Sequence, residues 1–177
     1  MTLFYLAIVG RRDSLGVIAK IRGKLAALHE LGQPARALLL FELGETLPAQ
    51  EQFLEFAHLD RSESGFSTCV QWLRFRLEPD DQILLRYPMA SRDLYSFLQA
   101  LPGRCWLEHN TKEIEELWTN FRKYSLRDWL WMLRNLRFQD PLKNLLALWR
   151  EKRWGKLCLG QARGGIAVTD EISEYES

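Results

Sequence analysis

The chain has 177 residues, 47% hydrophobic and 27% charged, which suits one domain with a sizeable core. The formal net charge of +1 selects no partner by bulk charge, while seven tryptophans help raise the aromatic share to 12%. Cys69, Cys105 and Cys158 lie far apart and form neither a CxxC motif nor a Cys/His cluster, so they read as reduced thiols rather than a disulfide frame or zinc site.

The opening run MTLFYLAIVG lacks a basic lead-in and meets RRD rather than a small-residue cleavage site. Leu3 to Val9 therefore reads as a buried strand. A polar loop, Gly10 to Gly16, follows. Apolar residues then recur at Val17, Ile18, Ile21, Leu25, Leu28 and Leu31, a helical spacing that Gly32 and Pro34 end. Ala37 to Phe41 is a second apolar strand, which completes a β-loop-α-β start of a parallel sheet.

Between 42 and 68 a short helix is expected over Gln50 to Ala57, followed by a Ser/Gly-rich turn. Leu73, Phe75 and Leu77 alternate with Arg74 and Arg76, which predicts a half-exposed strand over Val70 to Leu77. Ile83 to Leu85 is a short buried strand ending in Arg86, Tyr87 and Pro88. Ser91 can cap a helix carrying Leu94, Phe97, Leu98 and Leu101, closed by Gly103. Cys105 to Leu107 is the next strand. Asn110 can cap the following helix, with Glu113 completing a capping box and Ile114, Leu117, Trp118 and Phe121 on its buried stripe.

Residues 125 to 160 read as helical, with a break near Asp140-Pro141. Ile166 to Val168 is a last strand, and Thr169 can cap a helix with Asp170 and Glu171 in its first turn. The alternation predicts an α/β, Rossmann-like three-layer domain over 1–177, with a mainly parallel sheet and helices on both faces. No apolar run approaches the about 20 residues of a membrane-spanning helix, so a cytoplasmic chain is expected.

In open α/β sheets ligands bind beyond the carboxyl ends of the strands. That singles out the loops Gly10 to Gly16, Arg86 to Ser91 and Glu108 to Thr111. The first has neither GxGxxG nor GK[ST], so it is either a plain connection or a helix start whose amides meet a phosphate or polyol. His109 is either a general base or donor, or a satisfied loop histidine. Arg86 either meets an anionic group or pairs with Asp80 or Asp81. His29 and His58 read as surface or packing residues. No carboxylate or Cys/His set has metal-ligand or nucleophile spacing, so no metal and no cofactor is expected.

GVIAKIRGKLAALHELG after the first strand, then DQILLRYPMAS, WLEHNTKEIEEL and GGIAVTDEISEYE occur in that order. Together they resemble the N-terminal, acceptor-side domain of GT-B glycosyltransferases of the group 1 (family 4) kind. The resemblance runs from residue 1 to the C-terminus and is weakest over 42–80 and 125–160. It implies a partner role for a nucleotide sugar and a glycosyl acceptor. By position it puts Leu15, Gly16 and Val17 in the loop that approaches the diphosphate or acceptor, and His109 near the reacting centre with Asn110 and Thr111 beside it. Arg86, Thr169, Asp170 and Glu171 then line the crevice or the approach to the hinge. Glu108 would support the loop. Many relatives have a glycine pair where this chain has Gly16 alone. The second Rossmann-like domain of that family, which supplies most nucleotide-sugar contacts, has no counterpart here, so the chain by itself is expected to be inactive.

One segment speaks independently. Asn120 to Lys156 holds ten basic and three acidic residues, a local balance of +7. Trp129, Trp131, Trp149 and Trp154 interleave with the charges. Basic, tryptophan-rich amphipathic helices over 120–160 suit an anionic membrane surface, which would make the protein peripheral at the inner membrane. The plainer reading packs the tryptophans and solvates the charges. No nucleic-acid motif accompanies them.

Overall fold

Six short segments become the strands of one parallel sheet. A computed structural model describes residues 1–9, 14–42, 46–59, 65–109, 113–135 and 139–167. In chain order the strands are β1 (Leu3–Val9), β2 (Ala35–Glu42), β3 (Leu54–Leu59), β4 (Gln82–Arg86), β5 (Cys105–His109) and β6 (Gly164–Ala167). The helices are α1 (Ser14–Glu30), α2 (Gly65–Arg74), α3 (Arg92–Ala100), α4 (Glu113–Arg122), α5 (Leu126–Asn135) and α6 (Gln139–Gln161). The sheet order is β3-β2-β1-β4-β5-β6, with every pairing parallel. The fold is thus the expected Rossmann-like α/β arrangement.

The period-two alternation of β1 divides the core. Tyr5, Ala7 and Val9 join Ala37, Leu39, Phe41, Leu54 and Phe56 under Val17, Ile18, Ile21 and Leu25 of α1. Phe4 and Leu6 join Leu38, Leu40, Ile83, Leu85, Cys105 and Leu107 on the other face, under α2, α3 and α6. All three cysteines are buried. Burial pushes the thiols of Cys69 and Cys105 up to about 12 and that of Cys158 up to about 11.

Local signals behave as chemistry dictates. Ser91 Oγ accepts from the Leu94 N–H at 3.1 Å and caps α3. Gly32 follows α1 with a φ of 74°, a left-handed position where glycine carries no Cβ penalty. Pro141 sits in the first turn of α6, where its missing N–H costs nothing. The break expected near Asp140-Pro141 is therefore absent there: both residues lie within α6.

Two other expectations fail. Residues 46–53 are not helical, and 54–59 form β3. Leu54 and Phe56 point into the α1 core, so period two governs there. Val70 to Arg74 is the end of helix α2 rather than a strand. Phe66, Cys69 and Leu73, at helical spacing, all enter the opposite core. The Leu73-Phe75-Leu77 alternation is incidental, since Phe75 stands 84% exposed in the turn that ends the helix. The cap candidates Asn110 and Thr169, together with Thr111, Asp170 and Glu171, lie outside the described residues.

Candidate functional site

Crossovers leave β1 toward β2 on one face and β4 toward β5 on the other. Strand order therefore reverses between β1 and β4, the place where open α/β sheets form a ligand crevice. A cavity of about 260 Å³ opens there, lined by Ile8 at the end of β1, Phe66, the Pro88–Ser91 loop after β4, and Ala147 and Arg150 of α6. Met89, at φ 77°, is the only described non-glycine residue with positive φ. Such conformations cost of order 1 kcal/mol or more and gather where a loop is held for function.

The loop is held from behind by one carboxylate. Glu151 of α6, buried at 7% exposure, accepts from the Tyr87 hydroxyl at 2.5 Å and from the Ala90 N–H at 2.8 Å. The Tyr87 N–H in turn donates to the Glu108 carbonyl at 3.0 Å. The His109 ring stacks on the Tyr87 ring, with centroids 4.1 Å apart and planes at 30°. His109 is 2% exposed. It forms part of the wall behind Tyr87 rather than an accessible side chain in the crevice.

A second polar cluster occupies the opposite face. The Glu108 carboxylate accepts from the Tyr5 hydroxyl at 2.5 Å and from the Lys24 ammonium of α1. The Lys24 nitrogen also lies 5.2 Å from the Tyr5 ring centroid. Burial pushes the Glu108 carboxyl up, but the hydrogen bonds from Lys24 and Tyr5 and the charges of Lys24 and Lys20 outweigh it and hold the group below the usual carboxylate range. Burial, then the Glu108 hydrogen bond, raises the Tyr5 phenol far above its ordinary value; the Arg86 charge opposes this. Tyr5 is thus a neutral donor at any ordinary pH. A groove of about 430 Å³ runs from this cluster along α1, past Leu28, Leu84 and Ile166.

The sequence-derived candidates separate. Arg86 pairs in register with Glu108 and its charge acts on Tyr5, which places it on the α1 face. His109, one residue beyond Glu108, lies on the opposite face with Tyr87. Both stand at the same carboxyl rim but on different sides of the sheet. Leu15 is 82% exposed, Val17 is buried in the α1 core, and a Cβ built on Gly16 meets nothing within 4 Å. The first turn of α1 therefore presents Leu15 and an open Gly16 to solvent. Asp81 does not partner Arg86; it accepts from the backbone N–H groups of Thr2 and Glu78. His29 bonds the backbone of Ala35, and His58 is exposed.

Sequence reasoning missed Tyr5, Lys24, Met89 and Glu151. One of these had a signal: Glu151 is the lone acid between Lys143 and Lys156. Among the described residues no three His, Cys, Asp or Glu side chains gather as a metal site. What the described side chains assemble is a propped loop, a rim cation and two clefts. Comparison with family models, curated proteins and solved structures finds no match to the chain.

Proposed function

We propose that this chain is the acceptor-binding half of a nucleotide-sugar-dependent glycosyltransferase of GT-B architecture, with its ligand at the carboxyl rim of β1, β4 and β5. The observation that carries the reading is the all-parallel 3-2-1-4-5-6 order, with a strained loop propped at the switch point by Glu151. The order of the four sequence motifs supports the same assignment. In this reading Arg86 holds an anionic group of the acceptor or donor, and the first turn of α1 at Leu15, Gly16 and Val17 offers helix-start amides to it. Asn110, Thr111, Thr169, Asp170 and Glu171, which the resemblance adds, lie outside the described residues. His109 orients the rim by stacking on Tyr87. Hexosyl transfer then requires a second, donor-binding domain, because two substrates must be held together for the reaction to become effectively unimolecular.

The test is amide chemical-shift mapping of the chain during titration with nucleotide sugars, nucleoside diphosphates and phosphorylated sugars. Binding should shift Gly16, Arg86 and the Met89–Ser91 amides together, and Arg86→Ala should abolish it without lowering the melting temperature. Shifts clustered away from that rim, or none with any ligand, reject the assignment.

A second reading is a stand-alone interaction module without catalysis. It is favoured by the sheet face beside α1, where Leu84, Trp106 and Ile166 line open grooves that no described helix covers. Ligand-independent self-association that Leu84→Glu disrupts would select it.

A further inference from the structure

Helix α6 has two apolar stripes where a surface helix needs one. The inner stripe, through Leu148, Gly155 and Cys158, faces the domain and carries Glu151 to the crevice loop. On the far side, Leu142, Leu145, Leu146 and Trp149 recur at i, i+3, i+4 and i+7 and are 40 to 54% exposed. Exposed Lys143 and Arg150 border this outer stripe on one side, Lys152 and Lys156 on the other. Arg153 closes it, with its guanidinium 5.2 Å from the Trp149 ring centroid. Lys152 lies 5.4 Å from the ring of Trp118 on α4, which extends the aromatic edge. The only carboxylate between Leu142 and Gln161 is Glu151, and it is buried.

We propose that this outer face of α6 docks in the plane of a bilayer rich in anionic phospholipid. Leucines and Trp149 enter the acyl boundary, while the bordering lysines and arginines reach back to the phosphates. Charge complementarity selects this occupant. A second copy would bring cation against cation, and a nucleic-acid backbone offers no apolar counterpart to four stacked leucine and tryptophan side chains. The structure also divides the tryptophans of this segment. Trp149 and Trp131 are exposed, whereas Trp154 packs against the core beside Tyr95. The proposal does not depend on the glycosyltransferase reading.

The test is flotation of the full chain with vesicles of phosphatidylcholine alone or doped with phosphatidylglycerol. Binding should appear with the anionic lipid and weaken as salt rises. Replacing Lys152, Arg153 and Lys156 by Gln should reduce partitioning on doped vesicles roughly a hundredfold, at about 1 kcal/mol per cation. Leu146→Ser with Trp149→Ser should abolish it even at low salt. All five side chains are outside the core, so the variants should keep the parent melting temperature, and circular dichroism checks this. Equal binding to neutral vesicles overturns the proposal, as does absence of binding to either kind. So does size-exclusion chromatography in which the Leu146/Trp149 variant turns a dimer into a monomer, because the face would then belong to a second copy.

Discussion

Lys24, Tyr5 and Glu108 are unequal members of one cluster. The Glu108 side chain is almost wholly enclosed, whereas that of Lys24 keeps a third of its surface. Removing Lys24 strands a carboxylate that cannot reach water; removing the carboxylate frees an ammonium that can. Lys24→Met should therefore cost about 3 kcal/mol in urea denaturation, and Glu108→Gln only about 1 kcal/mol, because the amide still accepts from Tyr5. Equal losses would refute this asymmetry. The pH dependence follows from the depressed Glu108 value. Its contribution is present above the ordinary carboxylate range and is lost as pH falls through the lower folded value. The stability gap between the parent and Glu108→Gln should accordingly be largest near neutrality and shrink below about pH 4; a gap independent of pH would remove the ionised carboxylate from the account. At Met89 the issue is backbone rather than charge. A β-branched residue at a φ of 77° is worse than an unbranched one, and glycine is free of the penalty. Met89→Val should melt below Met89→Gly by the equivalent of about 1–2 kcal/mol, and the reverse order would mean that side-chain contacts, not the dihedral, decide this position.

At the scale of elements, α6 and α1 offer a controlled comparison. Gly23 lies within α1, where an added Cβ meets nothing within 4 Å. Gly23→Ala should then stabilise by about 0.8–1 kcal/mol through helix propensity alone. Gly155 has the same propensity to gain, but its Cβ would lie 3.0 Å from Glu151 Oε1. That carboxylate is pinned by Tyr87 and Ala90 and cannot yield cheaply. Gly155→Ala should be neutral or destabilising, and should shift the amide of Ala90; a full propensity gain with an unmoved Ala90 amide would mean that the carboxylate is not held. Elements were legible where one period dominated. β1, α1, β4, α3 and β5 follow from unbroken runs or a clean 3.6 spacing. α2 was obscured because Leu73, Phe75 and Leu77 imitate a strand, although only Leu73 is buried core. β3 was obscured because polar residues surround a short run anchored in the α1 core by Leu54 and Phe56. The site was legible as a rim but not as sides. Alternation within a strand gives the parity of each residue, yet nothing in one strand reveals its register against the next. Arg86 pairs with Glu108, and that single offset sends His109 to the other face.

At the scale of the whole molecule, the described residues cover the two faces of the sheet unequally. One face is roofed by α2, α3 and α6 from β3 to β5. The other is roofed by α1 over β1 to β3, and beyond it Leu84, Trp106 and Ile166 border grooves of about 400 and 430 Å³. Neighbouring leucines of one strand therefore have different worth. Leu85 is 1% exposed among the side chains of the roofed face, so Leu85→Ala removes a buried methyl-bearing side chain and leaves a cavity its neighbours cannot close. That should cost about 3 kcal/mol, a fall in melting temperature of roughly 6–12 °C for a chain of this length. Leu84 already borders solvent-accessible space, so Leu84→Ala opens a groove rather than creating a void. It should cost less than about 1.5 kcal/mol, the transfer of its exposed-side methyl groups and no cavity term. If both substitutions lowered the melting temperature equally, the α1 side of β4 would have to be closed in solution by something that packs on Leu84 as tightly as α3 and α6 pack on Leu85. The same experiment repeated over a range of protein concentrations would then tell self-association from a closure within one chain, since only the first moves with concentration.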